Sequence, residues 1–152
     1  MSYVRSVLQP NETVRTTTSI HWIIYWRGIV ALLAAVMVLG ISLEPVLGYL
    51  LGGSLALILL AVAVWFLFQA WFRRWTTEIA VTNRRIIRKE GFIWRKTTEI
   101  ALDKVESVDV VQSIAGRLLD YGDVRVHGTG QAIETMRMIS APIAFRNRVT
   151  AD

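Results

Sequence analysis

The sequence predicts a membrane α-helical hairpin carrying a small α+β, mainly β domain, in which a bent antiparallel sheet is closed by a C-terminal helix. Three observations carry this reading. Two long apolar stretches, Ile23 to Leu43 and Val46 to Phe68, are separated only by Glu44 and Pro45. Basic residues flank the pair and are missing from the connection between them. From Thr77 onward the apolar period becomes two, the repeat of a strand with one buried face. The chain therefore divides into an N-terminal cytoplasmic segment, 1–21, a two-helix transmembrane hairpin, 22–72, and a cytoplasmic domain, 73–152.

Each apolar stretch approaches the roughly 20 residues that a helix needs to cross a hydrocarbon layer of about 30 Å. Arg27 is the one charge inside them, and it lies in the first turn, where a long side chain snorkels to the headgroups. Arg5, Arg15 and Arg27 precede or open the first stretch, and Arg73 and Arg74 follow the second, so the positive-inside bias places both termini in the cytoplasm. Integral placement in a membrane, with the domain on its cytoplasmic side, follows from this reading. Trp22, Tyr25 and Trp26 mark the interface on the way in, and Trp65, Trp71 and Trp75 on the way out. Ala31 and Ala35, with Gly48, Gly52 and Ala56, have the small-residue spacing that lets helix backbones approach.

Other readings of the two stretches fit less well. A cleaved signal peptide would not begin after a polar segment containing Glu12 and be followed at once by a second apolar run. A soluble chain this short could not enclose two helices that are apolar all round. Without Asp, Lys or His in the spans, a proton relay or ion pathway has no residues to run on, and the hairpin reads as an anchor.

The composition is the sum of these parts. Residues 73–152 hold 14 of the 17 basic residues and 10 of the 12 acidic ones, leaving that segment at a net +4. The chain has no cysteine, which excludes disulfides, thiolate chemistry and Cys-based zinc sites and suits a reducing compartment. Eighty residues make one small domain.

Within it, Thr77 to Thr82 alternates as a first strand, Asn83-Arg84 offers a turn, and Arg85 to Arg88 forms a second. Lys89-Glu90-Gly91 is the next turn, and Phe92 to Ile100 a third strand. Leu102-Asp103-Lys104 breaks the run before a fourth strand, Val105 to Val111. Ser113 to Leu119 is a helical or irregular connector, followed by strands over Asp123 to His127 and Ile133 to Ile139. Ser140-Ala141-Pro142 has the form of a helix start, with proline in the first turn and Phe145 as an apolar anchor.

The residues in this order resemble a known family. Thr77-Glu78-Ile79-Ala80-Val81-Thr82-Asn83-Arg84-Arg85-Ile86-Ile87, Gly91-Phe92-Ile93, Lys104-Val105-Glu106-Ser107-Val108, Gly116-Arg117-Leu118-Leu119, Tyr121-Gly122, Gly128-Thr129-Gly130 and Pro142-Ile143-Ala144-Phe145-Arg146 are similar to the bacterial PH-like, membrane-flanked domain family of YdbS type. The upstream Leu8-Gln9-Pro10-Asn11-Glu12 and His21-Trp22 resemble it as well. The resemblance implies a pleckstrin-homology-like fold of about seven strands with a C-terminal helix, fixed to a membrane. Because the family is defined by its fold, it implies no particular activity.

Candidate chemistry is sparse. Gly91, Gly122, Gly128 and Asn83 read as turn residues, Asn83 in a left-handed position. His127, Asp120 and Asp123 lie close in sequence, yet Asp123, Arg125 and His127 alternate with Val124 and Val126 and so project from one solvent face. His21 reads as an amphipathic ring at the bilayer boundary. Gly128-Thr129-Gly130 reads as a hairpin turn, since no helix and no lysine follow it. No nucleophile with its base and no metal-ligand set is evident, so no enzyme, no cofactor and no metal are expected.

The strongest candidate surface is the basic run Arg84, Arg85, Arg88, Lys89, Arg95 and Lys96, a possible contact for lipid or for a protein partner. Anionic lipids would attract such residues at about 1 kcal/mol each near the surface. Alternatively the run is a strand face paired across the sheet with Glu78, Glu90 and Glu99. The tight Asn83-Arg84 turn leaves no long loop for an inositol-phosphate cage, and nucleic acid is not expected at so modest a patch. The expectation is a non-catalytic, membrane-anchored interaction module, binding a membrane or cytoplasmic protein partner or a paralogue of its own family. The alternative is recognition of anionic lipid headgroups by the basic hairpins.

Overall fold

The computed structural model describes residues 4, 7–41, 47–91, 96–129 and 133–150, with the side chains of 47–51 excepted. The chain forms two compact units, residues 22–72 and residues 1–21 together with 73–152.

The first unit opens with a 3-10 turn, Trp22–Tyr25, that runs into helix α1 (Trp26–Ile41), and continues with α2 (Leu47–Thr76). Two segments, Trp22–Ile41 and Gly52–Thr76, have mean hydropathies of 2.1 and 2.3 and are long and apolar enough to cross a membrane. Their large side chains point away from the protein: Met37 is 65% exposed and Leu57 67%. What is buried is small: Gly28 and Ala35 on α1, and Ala56, Ala63 and Ala70 on α2, each set recurring at intervals of seven residues. A Cβ placed on Gly28 would lie 2.6 Å from Leu67 Cγ, so α1 and α2 meet there at a separation only glycine permits. Of the small residues expected at this contact, Ala35 and Ala56 are buried, Ala31 and Gly52 are half-buried, and the Gly48 side chain lies outside the described residues. Gly28, Ala63 and Ala70 join them.

Among the described residues the second unit contains seven strands in two antiparallel sheets, of order β1-β2-β3-β4 and β5-β6-β7. The strands are β1 (Val14–Thr18), β2 (Glu78–Thr82), β3 (Arg85–Glu90), β4 (Lys96–Ala101), β5 (Val105–Val111), β6 (Tyr121–Gly128) and β7 (Ile133–Ser140). Short helix α3 (Ile114–Leu118) links β5 to β6, and α4 (Pro142–Thr150) follows β7. Helix and break positions agree with the sequence pattern: Leu102–Lys104 is a 3-10 turn, Ser113 caps α3 by accepting from the Gly116 amide at 3.0 Å, and Pro142 opens α4. The expected third strand is described from Lys96 onward; Phe92 to Arg95 lie outside the described residues.

The strand that sequence periodicity left unassigned is β1. It pairs antiparallel with β2, Thr18 opposite Ile79, and the chain beyond it crosses to the other sheet. There Ile20 bridges Ile139, and the Ser140 amide donates to the Ser19 carbonyl at 3.1 Å. Residues 14–21 therefore stitch the two sheets together along one side, while β4 and β5 end the sheets on the other side.

Strand alternation sorts the apolar residues by face. Ile79, Val81, Ile86, Val124, Val126, Met136 and Ile139 form the core between the sheets, with Phe145 and Val149 of α4 packed among them. Ala80 and Ile87, on the opposite face of β2 and β3, are covered by Val4. Gly91 has φ 82°, as the turn required. Gly122 instead lies inside β6, where an added Cβ would sit 2.8 Å from the Val111 carbonyl, so close backbone approach sets its identity. Asn83 is not left-handed either; its Oδ1 accepts from the Thr13 amide at 3.0 Å and its Nδ2 donates to the Asn11 carbonyl, fastening the β2–β3 turn to the N-terminal segment.

Candidate interaction surface

The described residues of the basic run do not share one face. Successive residues of β3 face opposite ways, which places Arg85 beside Ile87 on the face covered by the N-terminal segment and Arg88 beside Ile86 on the inner face.

Arg85 is held by two carboxylates. Its Nη2 lies 2.8 Å from Glu12 Oε2 and its Nη1 2.7 Å from Glu99 Oε2, and Nη2 also donates to the Val7 carbonyl at 2.9 Å. The Glu12 side chain is fully buried at 0% exposure. Thr82 Oγ1 donates to Glu12 at 2.7 Å and the Gln9 amide at 2.9 Å, so each carboxylate oxygen has several donors. The Arg85 hydrogen bonds, aided by those from Gln9 and Thr82 and opposed by burial, bring the Glu12 carboxyl down from 4.5 to about 2. The same contact raises Arg85 above its ordinary value. Both groups are ionised at every physiological pH.

Arg88 is also flanked by two carboxylates, Glu90 on its own strand and Glu134 on β7, and donates to the Thr135 carbonyl. It joins β3 of one sheet to β7 of the other. Its Nε is buried with no hydrogen-bond partner among the described residues. Lys89 is half-buried and stands opposite Glu78 in the β2–β3 register. Arg84 and Lys96 are exposed, and Arg95 lies outside the described residues. Arg85 pairs across the sheet with Glu99, whereas Glu90 meets Arg88 along the same strand. Sequence reasoning missed Glu12 and Glu134 as partners. Glu12 stood within the Leu8-Gln9-Pro10-Asn11-Glu12 segment that resembles the family, which was signal enough to test it against the arginines.

Beside Arg85, at the side where β4 gives way to β5, lies an open cleft of about 400 Å³ lined by Arg85, Glu99, Ile100, Ala101, Lys104 and Thr129. It is a mixed-charge surface next to two strand edges, not an enclosed pocket. His127 is outside it; its Nε2 lies 3.0 Å from Asp109 Oδ2 on the outer faces of β6 and β5. Asp123 serves the fold, accepting at 2.8 Å from the amide of Met138, a left-handed residue (φ 54°) where the β6–β7 register shifts. His21 is buried, its ring stacked on Tyr121 at 5.3 Å, and burial, with Arg74 nearby, lowers its pKa below 6.5. Among the described residues no group of three or more His, Asp or Glu is placed to hold a metal ion.

No curated protein and no solved structure matches the chain. The sequence pattern of the bacterial PH domain matches residues 22–151, from the first apolar helix to the last turn of α4. That match covers both apolar helices and all of the domain except the β1 segment, and by it the chain belongs to the Bacterial PH domain family.

Proposed function

We propose that this protein is a non-catalytic interaction module, anchored in the bacterial cytoplasmic membrane by the 22–72 hairpin, that offers its PH-like domain to a protein partner at the cytoplasmic face. The observation that carries this reading is the charge balance around β3. Arg85 is flanked by Glu12 and Glu99 and Arg88 by Glu90 and Glu134, so each of these two clusters is net acidic by one charge. Such clusters repel anionic headgroups. Among the described residues of the run, Arg84 and Lys96 remain exposed, too few for a phosphate cage on a tight turn.

A protein partner suits what is left. The edges of β4 and β5 carry backbone groups that an extended segment can pair with, and the neighbouring cleft, with Glu99, Lys104 and Thr129, supplies side-chain contacts of both signs. Support for the anchor comes from the two apolar helices, the basic flanks and the membrane-flanked character of the family.

The test uses the intact protein in native membranes. A photoreactive residue replacing exposed Thr97 on β4 should cross-link to one discrete protein species, and the same probe at Arg125 on β6 should not. Lipid adducts at Thr97 would instead favour the headgroup alternative. In the same membranes, a cysteine replacing Pro45 should react with an impermeant thiol reagent from outside, while cysteines replacing Ser2 or Asp152 should not; the reverse pattern would overturn the topology.

A further inference from the structure

α3 leaves its apolar residues uncovered. Ile114 is 83% exposed and Leu118, one turn later, 81%; Val111 before them and Leu119 after them are 53% and 42% exposed. Residues four apart share one helix face, so Ile114 and Leu118 form a single apolar ridge. The core of the domain does not use it. In a domain that buries Ile86, Ile87 and Ile139 at 1% exposure or less, the ridge is, among the described residues, the largest departure from the inside-out rule.

What lies next to the ridge identifies its occupant. The chain leaves α3 through Leu119 and the left-handed Asp120 into Tyr121, and this corner is fastened to His21: the imidazole stacks on Tyr121 at 5.3 Å and donates to the Leu119 backbone carbonyl. The His21 amide donates to the Met138 carbonyl at 2.7 Å, fixing the residue to β7 as well. His21 is one peptide bond from Trp22, where the first apolar segment begins, and Arg74, from the end of the second, is close enough to act on its charge. Leu119 and Tyr121 are therefore tied to the residue that directly precedes the first apolar segment. Arg117, exposed on the same short helix, is placed to meet lipid phosphates while its apolar neighbours go deeper.

We propose that α3 is a membrane-dipping wedge, with Ile114, Leu118 and Leu119 seated in the headgroup and upper acyl region of the cytoplasmic leaflet, so that the domain touches the bilayer at a third point besides its two spans. This rests on the membrane placement of the hairpin. The occupant is the lipid surface itself, without headgroup selectivity, because aliphatic side chains and one cation supply partition and attraction but no cage.

The absence of cysteine makes the test direct. Single-cysteine variants of the full chain, Leu118→Cys, Ile114→Cys, Val36→Cys and Glu106→Cys, are labelled with an environment-sensitive fluorophore and reconstituted into phosphatidylethanolamine–phosphatidylglycerol vesicles. Val36, 60% exposed on α1, reports the span, and Glu106, near the start of β5 and roughly 17 Å along it from Val111, serves as the comparison site on the domain. Labels at 114 and 118 should be blue-shifted, quenched by nitroxide carried near the lipid headgroups and protected from aqueous iodide, with Val36 deeper and Glu106 fully open to iodide. If 114 and 118 behave like Glu106 while Val36 is membrane-embedded, the wedge fails and the anchor stands. If Val36 is itself aqueous, both fail. Labels shielded from iodide and from nitroxide alike would place a protein on the ridge and overturn the lipid assignment.

Discussion

The two units handle the same apolar residue types in opposite ways. In the domain, Ile86, Ile87 and Val81 are buried; in the hairpin, Leu33, Val36 and Met37 are 59 to 65% exposed while glycine and alanine occupy the contact. In water, burial of apolar surface drives packing. In a bilayer that force vanishes between helices, and close approach through small residues replaces it. The domain also buries charge, at Glu12 and Arg85, whereas the charges of the two apolar helices lie at their ends, Arg27 in the first turn of α1 and Arg73 and Arg74 in the last turn of α2. Stability in the domain should therefore depend on large side chains and ion pairs, and in the hairpin on small residues.

The largest effect is expected at Arg85. Removing one partner of a buried pair strands the other charge, at a cost of about 3 to 5 kcal/mol. Arg85→Ala leaves the fully buried Glu12 carboxylate with only neutral donors and also releases the Val7 carbonyl, so the N-terminal segment should detach with it. Hydrogen exchange at the β2 and β3 amides of the full chain in detergent would report this, and α1 and α2 should be unchanged. Retained protection of β2 would mean that the ion pair contributes little and that β1 is held by its ladder alone.

Acid should reach the domain in two stages and spare the hairpin. His21 is held neutral, so the folded state resists a proton that the unfolded chain accepts, and stability begins to fall as the pH drops below 6.5. Glu12 is depressed from 4.5 to about 2; its contribution is complete above 4.5 and is lost between those values, about 3 kcal/mol in all. Denaturant titrations from pH 8 to pH 2 should resolve both limbs. Glu12→Gln should lower stability at neutral pH and flatten the lower limb only. An unaltered lower limb would assign acid sensitivity to other carboxylates.

The same contrast explains what could be read in the sequence. The hairpin was legible because apolar runs of that length have few other uses, and the β2 to β7 order because strand alternation and turn residues agree locally. β1 was not, since Val14-Arg15-Thr16-Thr17-Thr18 has no apolar alternation; it is a strand because β2 offers it an edge and Ile20 a bridge to β7, pairings across about 60 residues or more. The β-branched threonines were the available hint. Basic residues were visible as a run, but their acidic partners were not, because Glu12 and Glu134 lie 73 and 46 residues away in sequence. Charge counted along the chain overstates charge displayed on the surface wherever tertiary pairing intervenes.

The smallest effect sharpens the comparison most. Leu33 and Val81 are both aliphatic, one 59% exposed on α1 and the other fully buried in the domain core. Val81→Ala removes about two methylene equivalents from a close-packed interior and should cost about 2 kcal/mol once the cavity is included. Leu33→Ala removes more hydrocarbon, yet in a bilayer the side chain meets lipid whether or not the helices are packed, so the change should stay below about 0.5 kcal/mol. The pair can be compared in one reconstituted preparation, with hydrogen exchange of the β2 amides for the domain and loss of helicity on titration with a denaturing detergent for the hairpin. A Leu33→Ala cost as large as that of Val81→Ala would mean that the outward face of α1 is covered by protein in the membrane, either a second copy of this chain or the partner itself.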